Sequence, residues 1–196
     1  MMESALASPP SRTCHFDPVG IGIGALRKDL LIQFRAYPPA VLRGNASEIL
    51  AVAKLWELAK DDGRTGVRGV DSTEEVESAR GAAVAIARYT KGAVAVSGPT
   101  DLVTDGETVA YVKGGSHFLS KITGAGCSLG GVMAIYASQT SPFLAALTGA
   151  AVYNLAGARA ETKAQGPGSF QVRFLDELYS AAPEEIAACP MDLEMA

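Results

Sequence analysis

The run Ile122-Thr123-Gly124-Ala125-Gly126-Cys127-Ser128 holds the residues with the plainest chemical potential in this chain. It separates a polar, turn-like segment, Gly114 to Lys121, from a long apolar run that opens at Leu129. Two glycines one residue apart, just ahead of a helix, let several backbone N–H groups converge on one point. Such a nest binds anions, because the first amides of a helix lack intrahelical acceptors and the helix dipole favours negative charge there. The same pattern also suits a Gly-rich helix cap with an inert, buried Cys127. Local sequence leaves both readings open. A third reading, Cys127 as a nucleophile, needs an activating base. Neither His15 nor His117 stands in a recognisable relation to it, and both are expected as solvent-facing or satisfied loop histidines.

Three further junctions carry polar residues that could serve such an anion. His15-Phe16 runs into Asp17-Pro18-Val19-Gly20 and a glycine series, which suits a loop at the carboxyl edge of a parallel sheet. Asp17 could bind a ligand there or simply cap the turn. Ala40-Val41-Leu42 reads as a short buried strand leading into Arg43-Gly44-Asn45-Ala46-Ser47-Glu48. Asn45 and Glu48, three apart before an apolar helical run, are close to a capping box. The same turn places an anion-binding guanidinium, Arg43, beside a carboxylate, Glu48. Ala93-Val94-Ala95-Val96-Ser97 is a buried strand whose end exposes a hydroxyl at Ser97. No G-x-G-x-x-G fingerprint and no P-loop occurs.

The elements that must position these residues alternate. Helical spacing is expected over Leu26 to Phe34, from Ile49 through Trp56, from Asp71 to about Tyr89, over Cys127 to Ala137 and over Pro142 to Thr162. A capping box is expected at Ser72 and Glu75. Asp105-Gly106 between apolar runs predicts a β-hairpin of Leu102–Thr104 with Thr108–Val112. Gly166-Pro167-Gly168-Ser169 reads as a loop before an amphipathic closing element, Phe170 to Tyr179. Strands alternating with helices imply an α/β fold with a doubly wound, mostly parallel sheet. The four junctions then emerge at one edge. Residues 1–12 are expected as a disordered tail, 13–181 as one domain, and 182–196 as a loosely held C-terminal tail.

Composition narrows the function classes. The chain has 196 residues, a formal charge of −4 and three widely spaced cysteines, Cys14, Cys127 and Cys189, without a CxxC. There is no basic patch for nucleic acid, no disulfide framework and no thiolate metal site. The apolar stretch 129–160 is broken at Ser138 to Pro142, too short on either side to span a membrane. A cytoplasmic location is expected.

Taken together, several segments resemble hydroxyethylthiazole kinase, the thiamine-salvage enzyme of the ribokinase-like superfamily. They are Asp17-Pro18-Val19-Gly20, Arg43 to Ile49, Gly69-Val70-Asp71-Ser72, Ser97-Gly98 with Asp101 to Gly106, Lys121 to Cys127, and Gly166 to Gln171. The Gly-x-Gly-Cys alone is shared with kinases for hydroxymethylpyrimidine and pyridoxal. Arg-Gly-Asn-x-x-Glu together with Gly-Pro-Gly-Ser-Phe-Gln is far more specific. The resemblance implies a ribokinase-like fold and transfer of the γ-phosphoryl of ATP to 4-methyl-5-(2-hydroxyethyl)thiazole with Mg²⁺. It implies Asp17 and Glu48 at the metal, with Arg43, Asn45 and Ser97 at ATP. The amides of Gly124, Ala125, Gly126 and Cys127 become the anion hole. Gly124 would touch the thiazole alcohol, and Cys127 takes the place of an aspartate base found in many relatives. It further implies a homotrimer if the family interface is retained. The chain departs at Ser97, usually Thr, at Pro99, often Glu, and at Ser116-His117, more usually His-Pro. The resembling chains also carry a further N-terminal third before Asp17, so the domain is expected to be partial, truncated on that side. An inactive or regulatory ATP-binding fragment is the alternative.

Overall fold

Runs of Val and Ala, buried on both sides, dictate the central strands. The computed structural model describes residues 15–18, 21, 25–58 and 72–196, with 25–27 and 72–75 described by backbone alone. Strands β1 (His15–Phe16), β2 (Val41–Asn45), β3 (Ala93–Ser97), β4 (Asp101–Thr104), β5 (Thr108–Val112) and β6 (Met191–Met195) form one sheet in sequential order. β1, β2 and β3 run parallel, and β4, β5 and β6 each pair antiparallel to the preceding strand. The helices are α1 (Ala25–Phe34), α2 (Ala46–Leu55), α3 (Ser72–Thr90), α4 (Ala125–Ala137), α5 (Pro142–Lys163), α6 (Pro167–Ser180) and α7 (Pro183–Ala187). A 3-10 helix, His117–Lys121, precedes α4. The expected α/β layering with helices on both faces forms, but on a mixed sheet rather than a mostly parallel one. The reason is that the chain after β3 folds back as hairpins and β6 returns antiparallel along β5.

The two-residue period of the strands sorts the core into two clusters. Val41, Ala93, Ala95, Val103 and Ala110 pack against α4, α5 and α6, while Leu42, Val94, Val96, Leu102 and Val109 pack against α2 and α3. The same alternation sends Arg43 toward the α4 face with Val41, and Ser97 with Ala93 and Ala95. Register places Asn45 opposite Ser97. The helices on that face approach closely: a Cβ built on Gly149 of α5 would lie 2.5 Å from Met133 Cγ of α4.

Several local expectations are changed by tertiary structure. β2 continues through Arg43, Gly44 and Asn45, because its neighbour β3 offers backbone partners along that whole length. The Ser97 junction is strand–bend–strand, since β4 turns back on β3. Gly166-Pro167-Gly168-Ser169 is the N-cap and first turn of α6; Pro at the first helical position needs no N–H partner, and Ser169 Oγ accepts from the amides of Gln165 and Gly166. The segment 182–196, expected as a loose tail, carries α7 and β6. It is tied down by five register pairs with β5 and by ion pairs Arg80–Glu194 (2.6 Å) and Lys113–Asp192 (2.5 Å). The hairpin forms as expected, with Asp105 Oδ1 accepting from the amides of Glu107 and Thr108 and Gly106 at φ +95°. Residues 1–14, the glycines 20, 22 and 24, Gly69-Val70-Asp71 and the side chains of Ser72 and Glu75 lie outside the described residues. Among the described residues no helix is long and apolar enough to cross a membrane.

The register of β2 on β3 begins at a tight crossing. A Cβ on Gly92 would lie 2.3 Å from Ala40 O and 2.9 Å from Pro39 O, both backbone atoms that cannot rotate away. Gly→Ala normally stabilises by reducing unfolded-state freedom, by about 0.4–1 kcal/mol. Here the clash outweighs it. Gly92→Ala is expected to destabilise the fold by about 1–3 kcal/mol, read as a lower urea midpoint at unchanged m-value.

Candidate active site

Arg43 is the third residue of β2, and its side chain is mostly buried at the carboxyl edge of the parallel strands. Its Nε and Nη2 both donate to Ser97 Oγ, at 3.1 and 2.9 Å. Its Nη1 donates to Asp17 Oδ2 at 3.2 Å. A Cβ on Gly126 would lie 2.8 Å from the same Nη1, so the guanidinium rests against the first turn of α4. A Cβ on Gly130, one turn further on, would lie 2.9 Å from a ring carbon of His15 and 3.6 Å from Asp17 Oδ2. Three sequence-predicted residues, Asp17, Arg43 and Ser97, are thus brought together under the Gly126 turn. Of the five guanidinium N–H donors, the three bonds above leave two with no partner among the described residues.

The start of α4 differs from those of α2 and α5 in what caps it. Asn45 caps α2 with its side chain, accepting from Glu48 N at 2.8 Å, and Ser141 caps α5 by accepting from Leu144 N. Gly124 caps α4 at φ +87°, a left-handed conformation open to glycine, with no side-chain cap bond. The amides of Ala125, Gly126 and Cys127 therefore meet no capping oxygen from Gly124, and this is the geometry of an anion site. Cys127 and Gly124 are exposed at that turn, so the buried, inert thiol expected of a plain helix cap is not what forms.

Asn45 and Glu48 lie beside this group and complete a reciprocal capping box: Glu48 Oε2 accepts from Asn45 N at 2.9 Å. A Cβ on Gly44 would lie 3.3 Å from the same oxygen, which keeps the carboxylate against the end of β2. The capping reading of Glu48 is the one that forms, and the cap holds its carboxylate at the sheet edge.

Four residues without an assigned role in the sequence reading surround the group. His15 is not a loop histidine: it sits in β1, and burial, reinforced by the Arg43 charge, lowers its pKa to about 4, so the ring is neutral near pH 7. Asp101, the first residue of β4, accepts from Gly98 N at 2.9 Å and from Asn154 Nδ2 at 3.0 Å. Burial raises the Asp101 pKa to about 6, against the opposing pull of those hydrogen bonds and of Arg43. Tyr153 Oη donates to Ala125 O at 2.7 Å and meets Ser128 Oγ at 2.5 Å. The signal for Asp101 lay in strand parity, which puts it on the α4 face with Val103; no sequence period points to Tyr153 or Asn154. His117 is exposed and pairs with Glu161 at 2.8 Å, away from this group.

The sequence model described as "HK: Hydroxyethylthiazole kinase family" matches residues 4–184. A hydroxyethylthiazole kinase of Bifidobacterium longum is 49% identical over 189 residues, covering 87% of this chain and 60% of that protein. One of Roseobacter denitrificans is 40% identical over 188 residues, covering 95% of this chain and 70% of the relative. The solved structure of a hydroxyethylthiazole kinase from Pyrococcus horikoshii superposes with a TM-score of 0.74 at 27% identity, over 92% of this chain and 64% of that one. A Staphylococcus aureus pyridoxal kinase superposes at 0.52 and 17% identity, over 92% of this chain and 61% of that one, a likeness of fold alone. The chain thus spans about three fifths of the length of the Bifidobacterium relative. On the span it covers, the chain belongs to the hydroxyethylthiazole kinase family.

Proposed function

We infer that this chain transfers the γ-phosphoryl group of ATP to the primary hydroxyl of 4-methyl-5-(2-hydroxyethyl)thiazole. The observation that carries the reading is Arg43, anchored on Ser97 and Asp17 and pressed against a helix start left open by Gly124. Phosphoryl transfer passes through a loose transition state with charge spread over the equatorial oxygens, so catalysis rests on positioning and charge neutralisation. Arg43 and the Ser97 hydroxyl would hold the phosphate chain of ATP, with Asn45 at its flank. The amides of Ala125, Gly126 and Cys127 would surround the moving phosphoryl, and Gly124 would meet the alcohol. The alcohol proton leaves late in such a transition state, so a weak acceptor suffices and Cys127 guides the hydroxyl. No covalent enzyme intermediate is required.

The carboxylates of Asp17 and Glu48 stand beside Arg43 and Gly44, and no group of three or more His, Cys, Asp or Glu gathers among the described residues. That donor set fits Mg²⁺, which keeps several waters and takes one or two carboxylates plus substrate phosphates. Asp17 and Glu48 would hold the ion, which when bound neutralises phosphate charge.

The direct test is ATP- and Mg²⁺-dependent formation of thiazole phosphate by the 196-residue chain. Phosphorylated thiazole alcohol is expected. Nucleotide binding without product would instead favour an ATP-binding piece that regulates or has lost transfer, a reading motivated by the length of the relatives not spanned here. Among variants, Arg43→Ala and Asp17→Asn are expected to lower kcat by about 10²–10³-fold, the cost of losing a preorganised charge partner. Cys127→Ala should lower it by about tenfold or less, because little depends on a base. A Cys127→Ala chain that binds ATP normally yet turns over nothing would reverse that ranking.

A further inference from the structure

Two consecutive side chains of α5 reach the two halves of the proposed phosphate site from behind. Tyr153 and Asn154 are both buried. The Tyr153 hydroxyl donates to the carbonyl of Ala125 and accepts from the hydroxyl of Ser128, so it grips the first turn of α4. Asn154 donates to Asp101 Oδ2, and Asp101 Oδ1 accepts from Gly98 N, so Asn154 grips the bend that follows Ser97. The backbone of Asn154 also accepts from Gly115 N at 3.2 Å, and a Cβ on Gly115 would lie 2.9 Å from Asn154 Oδ1. The loop that feeds the 3-10 helix and α4 is therefore held by the same residue.

We propose that Tyr153 and Asn154 form a bracket that sets the spacing between the Arg43–Ser97 pair and the open amides of α4. They are positioning residues of the phosphoryl-transfer site, acting through Ala125, Ser128 and Asp101. The geometry favours this over a purely structural role in two respects. The shortest side-chain bonds of each go to a site-bearing loop rather than to its own helix. The Arg43 charge also reaches both arms, acting on Tyr153 and on Asp101. Two adjacent positions on one rigid helix give a fixed separation, and phosphoryl transfer is sensitive to separation: a misplacement near 1 Å can cost about 10²-fold.

The proposal rests on the kinase reading above, and its test separates the two. Tyr153→Phe removes one oxygen and keeps the ring, whose edge-on packing against Phe174 at 4.7 Å is apolar. Its kcat is expected to fall about tenfold with KM for ATP unchanged, the mark of an interaction made in the transition state. Its melting temperature should stay at the parent value. Asp101→Asn, which faces one amide with another, should lower kcat likewise. The reciprocal swap Asp101→Asn with Asn154→Asp restores donor and acceptor and should recover most of the loss. A Tyr153→Phe chain with parental kcat, or a swap no better than the single variant, overturns the bracket. If the parent chain phosphorylates nothing, the kinase reading fails while the bracket is read by amide hydrogen exchange. Exchange at Ser128, whose amide donates to Gly124 O, in Tyr153→Phe, and at Gly98 in Asp101→Asn, should then rise about tenfold without global unfolding. Unchanged exchange at both places sinks it.

Discussion

The Arg43 guanidinium, buried at the sheet edge, is the constraint on which the rest of the site depends. A buried charge without partners costs several kcal/mol, so its surroundings must supply acceptors. Ser97 and Asp17 do so from the two strands that flank β2 or its neighbour's end, which ties three consecutive strand ends into one unit. Gly126 and Gly130 are then required to lack side chains, because the Arg43, His15 and Asp17 groups occupy that space. The neighbouring ionisable groups follow from the same charge: His15 stays neutral, and Asp101 is drawn back toward the carboxylate that burial disfavours. Asp101 is therefore partly protonated just below neutral pH, whereas His15 charges only in acid.

A guanidinium beside the positive end of a helix is electrostatically unfavourable by itself. The chain tolerates it at α4, where Gly124 offers no capping oxygen, and does not repeat it at α2 or α5, whose first amides are met by Asn45 and Ser141. The α4 start thus combines an uncapped turn with a buried guanidinium, and such departures from local rules are how functional sites commonly stand out. An anion between Arg43 and the α4 amides relieves both groups at once. Positive charge on two sides, with little side-chain oxygen between, is what a transferring phosphoryl group needs.

Much of the fold is legible in residue order because local physics and global packing agree. β3 and β5 are alternating Val/Ala/Tyr runs between turn residues, Asp105-Gly106 forms its hairpin, and α5 starts at Ser141-Pro142. The disagreements come where a distant partner decides. β2 extends because β3 lies beside it, and the last fifteen residues become α7 and β6 because the β5 edge is open to pairing. Gly166 to Ser169 carries loop-forming residues that are equally good at beginning a helix, and the packing of Phe170 and Phe174 selects the helix.

The sequence by itself determined the α/β class and the hairpin, because strand parity, cap chemistry and turn residues act over a few residues. It also carried the motifs by which the chain resembles its family. Only the tertiary structure decided that Arg43 bonds Ser97 54 positions away, that His15 stands half-buried beside it, and that Tyr153 and Asn154 hold both loops. Those relations depend on which strands and helices become neighbours. Contact across such distances leaves no period in a single chain to read.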